Sequence, residues 1–371
     1  MEGKGGNRIC HSKIHILRQF FTIALIFSAL SCGNKKDQIK IGVSIDATTF
    51  PVYTLMKQAL MENSEKYGVK ILWNDVQSGD RSLIPIAREL ASVKKMLKAG
   101  IKVLIIKPVS FKIYPILRET RRFKVPVISL DTLPTDVPVT GHIKVNEIDL
   151  GRKAAENAIE ILKLWYPLKK PTERWNVIVL EGAVGVEKLR RIVLGIYEAL
   201  DQYQQEIQVV SSPQVSGADA AFDTVSKTIG KYAGNIQAII ASDSELAIGA
   251  IQAVNISNLL YNPGWNTDPE KRKGFAYVEK KGIVTAGVGA GKEACRLIFK
   301  GEHVIEIDER PYQRALTALE TALDVLEKKR FPSDGLVSIG LGKVAVKYSP
   351  IRVVTKDNIR EMEQMWADIF R

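Results

Sequence analysis

The sequence predicts an α/β fold built from two similar lobes, each with a parallel sheet and helices on both faces. From residue 39 onward, short β-rich apolar runs alternate with amphipathic segments of helix length, which is the pattern of βαβ units. Apolar runs without polar interruption, such as VLII at 103–106, are typical of strands buried on both sides. The alternation restarts near residue 148, so the chain contains two successive units of this kind.

The first unit alternates strands and helices in strict order. Gly68 and Gly100 follow two of its helices and are expected to end them. Its strands are predicted at 39–45, 69–75, 102–108 and 125–131, and its helices at 52–68, 82–100 and 115–124.

The second unit repeats this layout and ends in a polar, turn-rich segment at 261–274, which is expected to be a surface loop. Two similar α/β units predict two lobes, and the cleft between them is the expected site for a small ligand. The helices are predicted at 148–166, 187–203, 220–234 and 245–260, and the strands at 175–182, 207–212 and 236–243.

Composition excludes several classes of protein. The 371 residues carry a formal net charge of +12, but the basic residues are scattered, so neither a sustained basic helix nor a nucleic-acid-binding motif is present. We therefore expect no nucleic-acid partner. The three cysteines (Cys10, Cys32 and Cys295) and the four histidines show no metal-ligand spacing, so we expect no metal site and no cofactor.

The N-terminus has the layout of a secretory signal peptide over residues 1–31. Four basic residues precede the uncharged apolar run at 20–30, which is shorter than the about 20 residues needed to span a bilayer. The sequence Ala-Leu-Ser-Cys at 29–32 resembles a bacterial lipobox, which predicts lipidation of Cys32, a tether at 32–38 and a membrane-anchored protein of the periplasm or cell envelope. An ordinary signal peptide with an incidental cysteine, or an uncleaved anchor, remains the alternative.

The stretch TAGVGAGKEA at 285–294 has the glycines and lysine of a phosphate-binding loop but not their spacing. That loop requires glycine at 286 and serine or threonine at 293, where this chain has Ala286 and Glu293. We therefore expect a strand-to-helix turn here, without bound phosphate. The sequence also shows no nucleophile–histidine–acid arrangement, so we expect no catalytic residues and no enzymatic activity.

Four segments resemble the periplasmic sugar-binding proteins of the ribose, xylose and galactose type. They are IGVSIDATTFPVYTLMKQALMENSEKYGVKI, IKVLIIKPVS with VPVISLDT, IIASDSELAIGAIQAV and YSPIRVVTKDN, and the similarity keeps its order from about residue 39 to 358. The resemblance implies a type I periplasmic-binding-protein fold, in which two Rossmann-like lobes are joined by three crossovers and close around a ligand. We place the N-terminal lobe at 39–142 plus 284–309 and the C-terminal lobe at 143–283 plus 310–371.

A sugar site needs carboxylates, amides and arginines for the hydroxyl groups and aromatic rings for the C–H faces. In open α/β sheets such groups lie at the carboxyl ends of strands. An aspartate after a strand can equally be a helix N-cap, Tyr53 can be core, and the two arginines can be a solvated face. The residues that meet the strand-end rule are Asp46, Phe50, Tyr53, Asp131, Asn146, Glu147, Arg190, Arg191, Ser242 and Asp243.

The chain also departs from the family pattern. The resemblance places Glu309 where relatives have a glutamine near the second crossover, and Thr132 where they often have an arginine. Ser242 replaces an asparagine, Val52 replaces a stacking ring, and Gly289 replaces a sugar-binding aspartate. A site lined by buried polar groups discriminates strongly among ligands, so these changes predict a different ligand or none.

Three functions fit these observations. The first is the lipid-anchored solute-binding protein of an ABC importer, a monomer that binds a small sugar-like ligand between its lobes and presents it to a permease. The second is a sensor with an altered site that reports to a membrane histidine kinase or a chemoreceptor. The third is a sugar-responsive repressor, which would need a helix-turn-helix where this chain has its signal peptide.

Overall fold

The computed structural model describes residues 38–45, 51–74, 84–168, 170–260, 282–340 and 342–370. The predicted signal peptide with Cys32, the candidate site residues Asp46 and Phe50, and the predicted loop at 261–274 lie outside the described residues. Within the described part of the chain, no helix combines the length and apolarity that a membrane span requires.

The described residues contain thirteen strands and ten α-helices. The strands are β1 (Ile39–Ser44), β2 (Val69–Asn74), β3 (Val103–Ile106), β4 (Val127–Leu130), β5 (Gly141–Lys144), β6 (Trp175–Leu180), β7 (Ile207–Ser211), β8 (Ala238–Ala241), β9 (Val284–Val288), β10 (Ile305–Asp308), β11 (Gly335–Ile339), β12 (Gly342–Tyr348) and β13 (Arg352–Val354). The helices are α1 (Pro51–Asn63), α2 (Pro85–Lys98), α3 (Tyr114–Arg122), α4 (Glu147–Trp165), α5 (Glu187–Leu200), α6 (Ala218–Lys231), α7 (Ser244–Ile256), α8 (Lys292–Lys300), α9 (Pro311–Lys328) and α10 (Glu363–Trp366).

The strands form two sheets, and each sheet is the centre of one lobe. The first has the order β11-β12-β5-β4-β3-β1-β2, and the second has the order β13-β10-β9-β8-β6-β7. Pairing is parallel except between β11 and β12 and between β10 and β13. Each sheet is therefore mainly parallel with one antiparallel edge strand, and the predicted α/β fold with two lobes is confirmed.

The chain passes between the two sheets three times. The first crossover joins β5 to α4 between Lys144 and Glu147, and the second joins β10 to α9 between Asp308 and Pro311. The third joins β12 to β13 between Tyr348 and Arg352. These three crossovers are the hinge that the resemblance implied.

Strand pairing corrects the predicted assignment of 284–309 to the N-terminal lobe. Strand β9 lies between β8 and β10 in the second sheet, so this segment belongs to the second lobe. Conversely, β12 pairs with β5, so the part of 310–371 up to residue 348 belongs to the first lobe. Alternation of strands and helices is the same in either sheet, so the sheet that a strand joins is known only from the strands with which it pairs.

Both faces of each sheet are covered by helices, as the uninterrupted apolar strands predict. In β3, Val103 and Ile105 belong to the core under α1 and α9, whereas Leu104 and Ile106 face α2 and α3. The second sheet is covered by α4 and α5 on one face and by α6 and α7 on the other. This packing fixes the strand ends, whose loops form the edge of each lobe.

Helices α4 and α5 approach each other closely through two glycines. A Cβ atom on Gly151 would lie 1.8 Å from the carbonyl oxygen of Ile192, and one on Gly195 would lie 1.9 Å from that of Ile148. Neither position has room for a side chain. The glycine contact therefore seats α5 against α4, and α4 begins at the first crossover.

Candidate functional site

Two strand-end carboxylates in the structure share one buried guanidinium. Arg314 of α9 donates from Nη1 to Asp131 Oδ1 at 2.6 Å and from Nη2 to Glu309 Oε2 at 2.9 Å. Asp131 directly follows β4 in the first lobe, and Glu309 directly follows β10 at the second crossover. Arg314 is 3% exposed, so this buried guanidinium fixes the positions of the two carboxylates relative to each other.

Glu309 also contacts the second lobe. Lys188 of α5 donates to Glu309 Oε1 at 2.5 Å, so this carboxylate lies between a cation from each lobe. Burial alone would raise the pKa of Glu309, but Lys188 and Arg314 together lower it below its ordinary value. Glu309 is therefore an ionised acceptor at the crossover.

Tyr53 lies in the first turn of α1 and belongs to the same group of side chains. Lys107, which follows β3, places its Nζ 5.0 Å from the centre of the Tyr53 ring, a cation–π contact. Burial, followed by the charge of Asp131, raises the pKa of the Tyr53 phenol. The phenol therefore stays protonated, and its own hydrogen bond goes to Asp131.

The predicted residues of the first crossover come together there. Asn146 caps α4, since its Oδ1 accepts from the amide of Ile148 at 3.2 Å, and its Nδ2 donates to Asp149 at 2.7 Å. Glu147 pairs with Lys144 at 2.8 Å and with Arg191 at 3.3 Å. Asn146 and Arg191 thus both take part in contacts around the start of α4.

Arg190 lies apart from this group. Both of its bonds go to Glu187 in the same helix, and both side chains are more than 60% exposed. The solvated-face interpretation therefore holds for Arg190, whereas its neighbour Arg191 points to Glu147.

Ser242 and Asp243 follow β8 in the second lobe. Asp243 is the N-cap of α7, since its Oδ1 accepts from the amide of Leu246 at 2.9 Å, and burial raises its pKa. Ser242 is fully buried, and its Oγ is one of the few buried polar side-chain atoms that lack a hydrogen-bond partner among the described residues. Arg314 Nε, in the first lobe, is another. A bound ligand is one way to satisfy such groups.

The glycine-rich stretch at 285–291 surrounds a carboxylate of the chain itself. Glu306 is fully buried and accepts from Ser244 Oγ at 2.7 Å and from the amide of Ala290 at 2.8 Å, with His303 Nε2 at 3.1 Å from its other oxygen. A Cβ on Gly287 would lie 2.2 Å from Glu306 Oε1, so glycine is required there. The turn that resembles a phosphate loop therefore holds an internal glutamate, and it belongs to the second lobe.

A second buried glutamate joins three strand ends of the first lobe. Glu89 of α2 is fully buried and accepts from Ser44 Oγ at 3.0 Å and from the amide of Val109 at 3.3 Å. Asn74 donates to the same Ser44 hydroxyl at 3.2 Å, so β1, β2 and the loop after β3 are connected. Burial raises the pKa of Glu89 to about 7, against the opposing effects of these bonds and of Lys107.

Because the folded state holds Glu89 at a pKa of about 7 against a usual value of 4.5, stability should fall as pH rises from about 4.5 to 7 and then level off. The amide of a Glu89→Gln variant copies the protonated acid. We expect this variant to be more stable than the wild type at pH 8, by roughly 2–3 kcal/mol, and nearly equal to it at pH 4.5. Urea denaturation at both pH values measures the difference, and an equal gain at both would contradict this account.

Sequence analysis did not identify Arg314, Lys188 or Glu89 as site residues. Arg314 carried the clearest signal, because it lies on the same face of α9 as Ala318 and Thr321, which are buried. A charged residue within an apolar stripe requires a buried partner. Nothing in the sequence indicates which carboxylates supply it, since Asp131 is 183 positions away along the chain.

Two lobes, three crossovers, and polar residues at the strand ends that converge on the hinge define a hinged ligand-binding protein. A sequence model described as the periplasmic binding protein domain matches residues 41–330. The chain belongs to this family.

Individual relatives agree with this assignment. The ribose import binding protein RbsB of Salmonella typhimurium is 25% identical over 292 residues, which cover 76% of this chain and 92% of the relative. A solute binding protein of Actinobacillus succinogenes with bound D-allose has a TM-score of 0.58 at 18% identity, covering 87% and 99% of the two chains. The arabinose binding protein AraP of Geobacillus stearothermophilus has a TM-score of 0.63 at 14% identity, with coverage of 87% and 99%.

Proposed function

We propose that this protein is the solute-binding component of an ABC importer and that it binds a small neutral sugar or polyol between its lobes. The observation that carries the proposal is the pair of carboxylates, Asp131 and Glu309, that one buried arginine holds at the hinge. Ionised carboxylates accept hydrogen bonds from hydroxyl groups, and Arg314 offsets their charge. The names of the relatives, which mention ribose, D-allose and arabinose, support a sugar-like ligand.

Each lobe offers groups of the kind that a polyol requires. In the first lobe and at the second crossover, the carboxylate oxygens of Asp131 and Glu309 can accept hydrogen bonds from ligand hydroxyl groups. In the second lobe, Ser242 Oγ is a buried hydroxyl without a hydrogen-bond partner among the described residues, and a hydroxyl can both donate and accept. A ligand that contacts both lobes binds the closed arrangement better than the open one and so shifts the equilibrium toward closure, which is the form a permease would receive.

Binding should appear as a rise in melting temperature when the protein is heated with its ligand, because a ligand that binds only the folded state stabilises it. We expect a rise with at least one neutral pentose, hexose or polyol, and none with amino acids. The absence of any rise across the sugars would refute the proposed ligand class, and a rise with nucleosides alone would redirect it.

The carboxylate role has its own control. Asp131→Asn should weaken binding of that ligand about tenfold or more, because a hydrogen bond to a charged group is lost. Asp334→Asn, which removes a carboxylate paired with Lys347 in the same lobe, should leave the affinity unchanged.

We further propose that acylation of Cys32 anchors the protein to the membrane, on the basis of the lipobox-like sequence at 29–32. Cys32→Ala should move the protein from the membrane fraction to the soluble fraction when it is expressed in a bacterium. Cys10→Ala, within the proposed signal peptide, should leave it in the membrane fraction. Retention of the Cys32→Ala variant on membranes would refute the anchor.

A further inference from the structure

Each of the first two crossovers carries a glutamate held between two cations. At the first crossover, Glu147 lies between Lys144, at the end of β5 in the first lobe, and Arg191 of the second lobe. At the second crossover, Glu309 lies between Arg314 of the first lobe and Lys188 of the second. The two arrangements are alike, although the residues are far apart in sequence.

Both cations of the second lobe come from one helix. Lys188 and Arg191 are three positions apart in the first two turns of α5, so their side chains lie on the same face of that helix. The close backbone approach at Gly151 and Gly195 fixes α5 against α4. A single well-seated helix therefore contacts the glutamates of two crossovers at once.

We propose that Lys188 and Arg191 form a hinge clamp: they position both crossover glutamates and so restrict rotation of one lobe relative to the other. Rotation about the hinge changes the backbone at the crossovers, and each glutamate can keep both of its cations only over a limited range of rotation. Loss of the α5 cations leaves Glu147 held by Lys144 alone and Glu309 held by Arg314 alone. Neither carboxylate is then fixed against α5, so the range of rotation about the hinge widens.

The exposure of the clamp makes it sensitive to salt. The side chains of Lys188 and Arg191 are 48% and 35% exposed, whereas Arg314 is 3% exposed. Salt screens the exposed pairs much more than the buried ones. Rising ionic strength should therefore loosen the α5 side of the clamp first and leave the contact between Arg314 and Asp131 in place.

The test is the distance between the lobes without ligand, measured by pulsed electron paramagnetic resonance. Spin labels are attached at Lys112→Cys, after β3, and at Ser216→Cys, after β7, which are exposed positions on the first and second lobes. The full chain is used with Cys10 and Cys32 replaced by serine, and Cys295 is buried. Wild-type lobes should give a narrow distribution at low salt that broadens toward longer distances at high salt.

The double variant Lys188→Gln with Arg191→Gln should give the broad distribution already at low salt and should respond little to added salt. The matched control is Arg190→Gln on the same helix, which should behave as the wild type because, among the described residues, Arg190 pairs with Glu187 of α5 itself. Lys144→Gln, which loosens the first crossover alone, should give an intermediate distribution. A double variant that matches the wild type at low salt, or keeps its salt response, overturns the clamp.

The distance measurement tests the clamp independently of the proposed function, because it is made without ligand. If the clamp variants broaden the distribution but no sugar raises the melting temperature, the clamp stands and the proposed ligand falls. If a sugar binds and the distributions are identical, the proposed function stands and the clamp falls.

Discussion

Replacement of Arg314 by methionine should lower the free energy of unfolding by about 3 kcal/mol, one of the two largest effects that we expect from a single change. The substitution keeps most of the buried volume but leaves Asp131 without its cation and Glu309 with Lys188 alone. Removal of one partner from a buried ion pair costs about 3–5 kcal/mol, and we take the low end because both carboxylates retain some exposure. Urea denaturation at pH 7 measures the loss.

The matched control is Arg296→Met in α8. Arg296 also pairs with a carboxylate, that of Glu293, but both side chains are at least 40% exposed. This change should alter stability by less than about 0.5 kcal/mol. Arg314→Lys should recover part of the loss, since it restores the charge without the two-pronged geometry. Equal effects of the Arg314 and Arg296 substitutions would contradict the buried network.

The second large effect is expected from Gly151→Ala in α4. Alanine is ordinarily the better helix former by about 1 kcal/mol, but here its Cβ would lie 1.8 Å from the carbonyl oxygen of Ile192. The helices must separate, and overpacking of this kind costs about 1–3 kcal/mol or more. We expect a loss of at least about 2 kcal/mol in urea denaturation.

Gly230→Ala in α6 is the matched control, and we expect it to change stability in the opposite direction. A Cβ there meets nothing within 4 Å, and the residue is helical, so the substitution should stabilise the protein by about 0.5–1 kcal/mol. Two identical chemical changes thus separate close helix packing from helix propensity. Stabilisation by Gly151→Ala would show that α4 and α5 do not approach as described.

The fold class could be predicted because parallel α/β units leave a strong local signature. Uninterrupted apolar strands and amphipathic helices at regular intervals indicated both sheets, and β3 is buried on both faces as its sequence predicts. The lobe to which residues 284–309 belong could not be predicted in this way. A strand such as β9 would fit either sheet by its composition, and only its pairing with β8 and β10 assigns it to the second.

The candidate site was accessible to sequence reasoning only in part. The strand-end rule selected Asp131, Asn146 and Ser242 because the carboxyl ends of parallel strands face the same edge. It missed Arg314 and Lys188, which lie within helices and reach the site from α9 and α5. Their contacts depend on how the helices pack, and one sequence does not contain that information.

The glycine-rich turn at 285–291 is a second example of a contact that one sequence does not reveal. Its glycines suggested an external phosphate, and the spacing argued against one. The reason for the glycines is Glu306, an internal carboxylate that follows the turn by more than ten residues and lies on the neighbouring strand β10. The glycines indicated that the backbone of this turn is closely approached by another group, but the local sequence did not indicate that the group is the side chain of Glu306.

The three crossovers also determine the order in which the molecule can be built. The first sheet needs β12 beside β5, and its core needs α9. Both follow the whole of the second lobe's main sheet along the chain. The first lobe is therefore begun first but cannot be completed before most of the second lobe has been synthesised, and β13 then completes the second sheet. Until α9 has been synthesised, one apolar face of the first sheet lacks its covering helix, and until β12 has been synthesised, β5 lacks its neighbouring strand. Intermediates that expose apolar surface or an unpaired strand edge are prone to aggregation.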